Sequence, residues 1–298
     1  MDGFLNVLKP PGMSSAAVVG FVKRQVGKQK IGHAGTLDPE AAGVLPIMIG
    51  RAARLFDYLA DKEKAYIAEI AFGAATDSQD AQGRVIQTGD HLPTRERIEA
   101  VLPEFIGQIQ QTPSAFSAIK QKGRPLYELA RKGETVAVPA RTVTVDSLVL
   151  LEQTAPDGFM LKVECGRGTY VRTICHDLGQ RLGCPAHMRF LLRTRTGDFD
   201  LKSAMTLEEI KALGEAGTLG DRLLEMDMPL RHMPRVQIPK KLFKQAKNGA
   251  KMPAEAFENL PEGVFTLYME EAFMGMAHVQ GEWVRYRTMV FEEKNPCD

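Results

Sequence analysis

One aspartate near the start of the chain has a setting that suits chemistry. Asp38 lies in the stretch GHAGTLDPEAAGVLP (32–46), which also holds three glycines. Glycine permits close approach of the backbone to a ligand, and an aspartate on such a loop can act as a covalent nucleophile. Asp38 followed by Pro39 and Glu40 also fits the start of a helix, with the aspartate as its N-cap. These residues leave helix capping and nucleophilic catalysis both open.

Two further residues could complete a reaction centre around that carboxylate. Tyr66 offers an aromatic ring with a polar tip, which can stack on a planar ligand and exchange a proton. Arg172 can hold a carboxylate through a bidentate ion pair. Tyr66 also fits a core position and Arg172 a surface position on its helix, so spacing alone does not join them to Asp38. The sequence predicts a candidate catalytic set of these three residues.

A second cluster, formed by cysteines and histidines, resembles a metal site. Cys184 and His187 have plausible ligand spacing for zinc. Cys175 and His176, however, are adjacent on a predicted helix and point to different sides of it, which disfavours both a metal centre and a thiol catalyst. The chain also contains no phosphate-binding glycine loop of the Walker or dinucleotide type. We therefore expect no metal and no nucleotide cofactor.

Three predicted elements position the candidate catalytic residues. GVLPIMIG (43–50) is typical of a buried strand directly after the Asp38 loop. KAYIAEIAFG (64–73) alternates and puts Tyr66 on the same strand face as Ala68, Ile70 and Phe72. TYVRTICHDLGQRL predicts a helix that carries Arg172 and ends at Gly183.

The remaining elements predict the fold class. Helices are indicated by caps and stop residues, and TVTVDSLVLLEQ with GFMLKVEC predicts an antiparallel pair. The predicted helices are these: 16–26 after Ser14 and Ser15 and before Gly27, 51–59, 95–102 after Thr94, 126–132 between Pro125 and Gly133, and one from Leu207 with a Thr206–Glu209 capping box. Strands and helices do not alternate strictly. We therefore predict an α+β fold around a mixed, mainly antiparallel sheet flanked by helices and loops.

The last quarter of the chain is predicted to form a separate domain. MDMPLRHMPR (226–235) is typical of a linker, and short strand patterns separated by turn residues follow it. This arrangement predicts a small all-β barrel or sandwich. We place the boundary near residue 232, with one domain over 1–232 and a second over 233–298.

The bulk composition limits the class of protein. The chain has 298 residues, 44% of them hydrophobic and 25% charged, as in a folded protein of two domains. It has no apolar run of 18 residues and no signal-peptide layout at its start, so we expect no membrane association. The four scattered cysteines predict reduced thiols and a cytoplasmic location.

Positive charge is concentrated locally, although the net charge is only +1. Residues 9–30 and 231–251 contain lysines and arginines but no acid, and 120–132 has several bases against Glu128 alone. Such stretches suit a polyanion that lies along the surface, and they equally suit ordinary solvated faces.

The segment GHAGTLDPEAAGVLPIMIGRAARLFDYL (32–59) resembles the signature segment of the bacterial tRNA pseudouridine-55 synthases of the TruB type. Further segments are similar to that family in the same order: LKPPGMSS, KAY at 64–66, TDSQDAQG at 76–83, PSAFSAIKQKGRPLYELARKGE at 113–134, CGRGTYVRTICHDLGQRLG at 165–183 and AHMRFLLRTRTGDF at 186–199. The tail from about residue 235 resembles, more weakly, the small RNA-binding PUA domain of such enzymes. The resemblance covers most of the first 200 residues and implies a pseudouridine-synthase catalytic domain followed by a PUA-like domain.

The resemblance implies a role for each matching residue. Asp38 takes the place of the essential aspartate, Tyr66 that of the tyrosine that stacks on the target base and handles its C5 proton, and Arg172 that of the arginine that pairs with the aspartate. Three more positions belong to the substrate site that the resemblance implies: His33 beside the displaced nucleotides, Lys9 with Pro10 in support of the catalytic loop, and Leu192 in the segment that lines the pocket.

The resemblance implies isomerisation of uridine to pseudouridine at position 55 in the T loop of tRNA. The base leaves C1′ through N1, turns and rejoins through C5, which requires no cofactor, nucleotide or metal. Whether the aspartate attacks C1′, attacks C6 or assists glycal formation stays open. We expect the tRNA T stem-loop as the partner, no required protein partner and a monomer.

Three other functions remain as alternatives: a non-catalytic RNA-binding protein, a hydrolase that releases the free base, and a guide-RNA-dependent modification enzyme. The presence of all three candidate catalytic residues disfavours the first of these, since a protein that only binds RNA would be free to lose them.

Overall fold

The computed structural model describes residues 1–60, 62–114, 116, 120–121, 124–125 and 138–291. The predicted helix over 126–132, most of the basic stretch 120–132 and Cys297 lie outside the described residues.

The described residues form strands, α-helices and short 3₁₀ helices in an irregular order. The strands are β1 Gly3–Lys9, β2 Ile31–His33, β3 Ala42–Ile49, β4 Lys64–Phe72, β5 Ala74–Thr76, β6 Val85–Thr88, β7 Gly107–Gln111, β8 Lys120–Gln121, β9 Arg124–Pro125, β10 Arg141–Ala155, β11 Gly158–Cys165, β12 Ala186–Thr196, β13 Phe199–Asp200, β14 Arg235–Gln237, β15 Met252–Pro253, β16 Val264–Met269, β17 Ala272–Gln280 and β18 Trp283–Met289. The α-helices are α1 Ser15–Val26, α2 Phe56–Ala60, α3 Arg95–Val101, α4 Val171–Leu182, α5 Leu207–Glu215 and α6 Phe243–Lys247. The 3₁₀ helices are Gly50–Leu55, Leu102–Phe105, Leu201–Ser203, Leu219–Arg222, Met228–Leu230, Lys240–Leu242 and Ala254–Ala256.

The larger sheet is mixed and mainly antiparallel, as predicted. Its order in the described part of the chain is β1-β3-β12-β4-β11-β10-β7, with β2 on β3 and β13 on β12. The pair β3–β12 is parallel, with Leu192 opposite Ala42, while the other pairs of this sheet are antiparallel. The predicted α+β fold class is therefore confirmed.

Strand β4 lies at the centre of this sheet, between β12 and β11. Its alternating residues Tyr66, Ala68, Ile70 and Phe72 are buried in one hydrophobic cluster, as the sequence predicted. Helix α4 packs against that cluster through Ile174, Leu178 and Leu182. The 3.6-residue repeat of the helix thus fixes its apolar side on the sheet and brings its first turn to one end of β4.

The predicted caps of α1 and α5 and the predicted end of α4 are confirmed, while α4 begins at Val171, two residues later than predicted. The Ser14 side chain accepts a hydrogen bond from the Ala17 amide at the start of α1. Gly183 has a left-handed conformation after α4, and Thr206 with Glu209 forms the capping box of α5. The segment predicted as a helix over 51–59 is a 3₁₀ helix that continues into α2.

A second, smaller sheet follows the larger one. Its order is β14-β16-β17-β18-β15, and it has a hydrophobic cluster of its own around Phe265, Leu267 and Met274. Its other side shares a cluster with the first sheet, in which Met276 and Val290 pack with residues such as Phe4 and Leu55. The Arg54 guanidinium also donates to the Met289 carbonyl at 2.8 Å. The two sheets are therefore packed together rather than joined only by a linker.

Among the described residues, no helix combines the length and the apolar character that crossing a lipid bilayer requires.

Candidate active site

Asp38, Tyr66 and Arg172 line one cleft of about 400 Å³. Asp38 comes from the loop before β3, Tyr66 from β4, and Arg172 from the first turn of α4. Their spacing along the chain provides no reason to join these positions. The larger sheet and the helix packed on it bring them together.

Asp38 lies in a tight turn. The Asp38 carbonyl accepts a hydrogen bond from the Ala41 amide at 3.1 Å, and β3 begins at the next residue. No helix begins at Pro39, so the helix-capping interpretation of Asp38 is wrong: the chain turns into the strand instead. The Asp38 side chain is 39% exposed and faces the cleft.

Lys9 and Ser15 hold this turn from the protein interior. The buried Lys9 ammonium donates to the carbonyls of Pro10, Pro39 and Ala41. The Ser15 hydroxyl bonds both the amide and the carbonyl of Leu37. Burial lowers the pKa of Lys9 to about 8. Because its ammonium is enclosed by carbonyls, Lys9 is placed to support the loop and does not open onto the cleft.

Arg172 connects two carboxylates. Its guanidinium is 4% exposed, and its Nη1 lies 3.5 Å from Asp38 Oδ2 and 3.3 Å from Asp80 Oδ2. Its Nη2 donates to the Phe116 carbonyl at 3.1 Å. Such a guanidinium can move little, so it restricts where the Asp38 carboxylate points.

Sequence reasoning missed Asp80, which lies in the turn-rich stretch TDSQDAQG. Its Oδ1 accepts hydrogen bonds from the Ser78 hydroxyl at 2.6 Å and the Gln82 amide at 3.0 Å. The turn therefore fixes the carboxylate that faces Arg172. Two acids within one short loop were the signal that could have found it.

Arg193 is a second buried arginine of the site that sequence reasoning missed. It is 1% exposed and donates to the carbonyls of Val44 and Gly35 at 2.8 and 3.0 Å. Its charge acts on Tyr66, which is 7% exposed and also lines the cleft. Burial raises the pKa of Tyr66, and the Arg193 charge opposes that rise. The phenol is therefore neutral at ordinary pH.

His33 lies on β2, opposite Ile47 of β3. Burial lowers the pKa of His33, and the charge of Arg193 lowers it further, so its imidazole is neutral at physiological pH. Its buried Nδ1 has no hydrogen-bond partner within the described part of the chain. His33 is not among the described residues that line the cleft.

Leu191, not Leu192, lines the cleft. Successive residues of a strand point to opposite faces, so Leu191 and Arg193 share one face of β12 while Leu192 has the other. The sequence expectation for Leu192 as a pocket residue was therefore displaced by one position along the strand.

The cysteine–histidine cluster lies away from this cleft. Cys175 and Cys184 are buried, and burial raises the pKa of Cys175 to about 12. His187 Nδ1 lies 2.8 Å from the Ala74 carbonyl oxygen. No three His, Cys, Asp or Glu side chains of the described residues group as metal ligands.

The lining of the cleft combines positive charge with aromatic surface. Lys64, Arg167, Arg172 and Arg193 contribute cations, against the one carboxylate of Asp38 among the described lining residues. The aromatic side chains of the lining are Phe56, Tyr66 and Tyr170. Such a cleft can hold a planar ring of a polyanion beside a fixed carboxylate.

The chain matches two family descriptions. Residues 23–171 match "TruB family pseudouridylate synthase (N terminal domain)", and residues 172–231 match "tRNA pseudouridylate synthase B C-terminal domain".

Curated relatives with the name tRNA pseudouridine synthase B are similar over most of the chain. The protein of Alkaliphilus oremlandii is 38% identical and covers 99% of this chain and 100% of its own. That of Geobacillus thermodenitrificans is 42% identical over 91% of this chain and 92% of its own. That of Caldanaerobacter subterraneus subsp. tengcongensis is 50% identical over 71% of this chain and 74% of its own.

Solved structures share the fold. A chain of a "Cbf5-Nop10-Gar1 Complex" superposes with a TM-score of 0.73 at 25% identity, covering 97% of this chain and 85% of that one. A chain of an "archaeal box H/ACA sRNP Nop10-Cbf5 complex" gives a TM-score of 0.73 at 24% identity, covering 98% and 87%.

Proposed function

The chain belongs to the TruB family of pseudouridylate synthases, and we propose that it modifies the uridine at position 55 in the T loop of tRNA with Asp38 as catalytic carboxylate. Its activity is the isomerisation of tRNA uridine to pseudouridine. The main support for this proposal is that one cleft is lined by Asp38, Tyr66 and Arg172.

The isomerisation breaks the N1–C1′ bond, turns the uracil and forms a C5–C1′ bond. The proton on C5 is lost and N1 gains one, so atoms and electrons balance within the nucleotide. The enzyme must therefore supply a nucleophile or electrostatic partner near the sugar–base junction and a path for the C5 proton.

Asp38 supplies the first of these requirements. Its carboxylate is the negatively charged group of the cleft lining and is 39% exposed, so a ligand can reach it. Arg172 lies 3.5 Å away and is buried, which limits the directions in which the carboxylate can turn. A fixed nucleophile reacts faster because its orientation is set before the substrate arrives.

Tyr66 supplies a flat surface for the target base. Its ring lines the cleft, and because the side chain is only 7% exposed, the packing around it limits its movement. Stacking on an aromatic side chain returns part of the few kcal/mol that eversion of a nucleotide costs. The phenol is also the group we assign to relaying the C5 proton: its oxygen takes up that proton as its own hydroxyl proton is released to water.

The same proposal covers the organisation of the whole protein. Residues 1–232 are the catalytic domain, and 233–298 are a PUA-like RNA-binding domain, which accords with the separate second sheet. The protein binds the tRNA T stem-loop directly, as a monomer that requires no protein partner. We assign it to the cytoplasm, with its tRNA substrate.

Incubation with one unmodified tRNA transcript tests the proposal. Mapping of pseudouridine along the product should find it at position 55 and at no other uridine. Conversion elsewhere would contradict the assigned position, and release of free uracil would identify a hydrolase instead.

Asp38→Asn tests the catalytic carboxylate. Asparagine has nearly the same size but cannot act as an anionic nucleophile, so turnover should fall by about 10⁴-fold or more while the fold is kept. Tritium release from tRNA labelled at uridine C5 measures the rate. Asp146→Asn, at an exposed position of β10 outside the cleft lining, is the matched control and should react like the parent protein. Near-normal release from Asp38→Asn would end the catalytic assignment.

A further inference from the structure

Phe56 is a large apolar side chain in an unexpected place. It is 41% exposed, yet it lines the same cleft as Asp38 and Tyr66. It is the first residue of α2, at the junction with the 3₁₀ helix Gly50–Leu55.

The hydrophobic core does not explain Phe56. The segment around it is anchored by Leu55 and Leu59, which are 0% and 3% exposed and belong to one buried cluster. Phe56 belongs to none of the hydrophobic clusters formed by the described residues. Single exposed apolar side chains are common, but Phe56 lies in the lining of the cleft that holds Asp38 and Tyr66, so its ring is available to a ligand bound there.

The surroundings identify the chemistry of that ligand. Lys64 and Arg167 line the cleft as well, so an anionic chain is attracted to it. Nucleobases stack on exposed aromatic side chains, while the phosphates that connect them pair with lysine and arginine. A single-stranded stretch of RNA satisfies both features.

One everted uridine does not cover every aromatic side chain of the cleft, and the Tyr170 ring already faces the Arg172 guanidinium at 5.5 Å. Under the proposed function the reacting base occupies the buried ring of Tyr66, which is 7% exposed, and leaves the more exposed ring of Phe56 uncovered. The next nucleotide is covalently attached to the reacting one, so its base must also lie near the cleft.

We propose that Phe56 forms a second nucleobase subsite, in which it stacks on the base adjacent to the reacting uridine in the same RNA loop. This subsite rests on the proposed function, because it needs an RNA loop in the cleft. It holds the loop in its opened form and takes no part in the bond changes, so it lowers KM rather than raising kcat.

The test compares variants of Phe56 on a T-arm RNA hairpin that carries 2-aminopurine next to the target uridine. Phe56→Ala removes the ring, Phe56→Leu keeps apolar volume without a ring, and Phe56→Trp keeps a ring. Phe190→Ala is the control, because Phe190 is 39% exposed but does not line the cleft. The measurements are 2-aminopurine fluorescence on binding, Kd, KM, kcat and the melting temperature.

Loss of one stacked base raises Kd by roughly 5- to 150-fold. Phe56→Ala and Phe56→Leu should show that rise in Kd and KM, less quenching of the 2-aminopurine and an unchanged kcat. Phe56→Trp and Phe190→Ala should match the parent protein. All variants should have the melting temperature of the parent protein.

Three results would overturn the subsite: a Kd of Phe56→Ala within twofold of Phe190→Ala, quenching by Phe56→Leu equal to that of the parent, or a melting temperature of Phe56→Ala below that of Phe190→Ala. Failure of the proposed function is a different result, since the unsubstituted protein would then form no pseudouridine at position 55 in this hairpin.

Discussion

At the scale of single residues, the cleft combines a buried arginine with a carboxylate that solvent can reach. Arg172 is enclosed by Asp80 and the Phe116 carbonyl on its buried side, while Asp38 remains reachable from solvent. The Asp80–Arg172 ion pair therefore forms a rigid support below the cleft. The Asp38 carboxylate is the member of this set that a substrate can contact. The Asp80 carboxylate accepts hydrogen bonds from the Ser78 hydroxyl and the Gln82 amide. The position of Arg172 beside Asp38 therefore depends on residues that do not themselves line the cleft.

Tyr66→Phe separates the two tasks assigned to Tyr66. The ring remains, so stacking and the Kd for tRNA should change little, while loss of the hydroxyl should lower kcat by about 10²- to 10⁴-fold. Stopped-flow binding and tritium release from C5-labelled tRNA measure the two effects. Burial raises the pKa of Tyr66, so the phenol keeps its proton and the rate should show no titration of this group between pH 6 and 8.

Tyr58→Phe is the control for that variant. Tyr58 lies outside the cleft lining, with its hydroxyl 3.3 Å from the Thr288 hydroxyl. The proton-transfer role of Tyr66 would be rejected if Tyr66→Phe and Tyr58→Phe turned over tRNA equally fast.

At the scale of elements, the site depends on the close approach of β3 to β12. Gly43 is part of that contact, opposite Arg193, and has φ +115°. A Cβ at this position would lie 2.7 Å from the Arg193 backbone nitrogen and would overlap its carbonyl oxygen. Glycine therefore lets the Asp38 loop and the buried Arg193 meet at one point of the sheet.

Gly43→Ala should destabilise the protein and disturb the site together. The positive φ and the overlap with backbone should lower the free energy of unfolding by about 2–5 kcal/mol. Gly12→Ala is the matched control, since Gly12 also has a positive φ but no atom within 4 Å of an added Cβ. It should lose only about 1–2 kcal/mol. Urea denaturation of both variants measures this difference. Equal decreases in the free energy of unfolding would show that the close approach of Gly43 to β12 does not require glycine.

At the scale of the whole molecule, the basic stretch 231–251 belongs to the second sheet and its connections. Lys240, Lys241 and Lys244 are exposed there. The second sheet is packed on the first through Met276 and Val290, so these lysines have a fixed position relative to the cleft. A surface of this kind can bind RNA phosphates outside the reacting loop.

Replacement of Lys240, Lys241 and Lys244 by Gln should weaken tRNA binding and make it less sensitive to salt. If each lysine neutralises one phosphate, the slope of log K against log salt becomes shallower by roughly 2 to 3 units. Filter binding between low and moderate salt measures the slope. The double variant Lys202→Gln with Lys211→Gln, exposed on the catalytic side, should keep the parent slope. If the triple variant kept the parent's slope of log K against log salt, these lysines would be solvated surface residues that do not contact RNA phosphates.

Local sequence determined the elements that depend on short-range patterns. The alternation around Tyr66, the caps of α1, α4 and α5 and the antiparallel pair β10–β11 all follow from residues near in the chain. The family resemblance identified Asp38, Tyr66 and Arg172 as a set, because matched segments are informative even where their spacing is not.

Tertiary structure alone decided which side chains meet. Asp38, followed by Pro39 and Glu40, had the pattern of a helix cap, but contacts from Lys9 and Ser15 hold it in a turn before β3. The partnership of Arg172 with Asp80, the burial of Arg193 and the one-residue change from Leu192 to Leu191 depend on packing between strands far apart in sequence. Propensities and caps act over a few residues, whereas the direction of a side chain in a sheet depends on register with its neighbours, so only the folded chain fixes it.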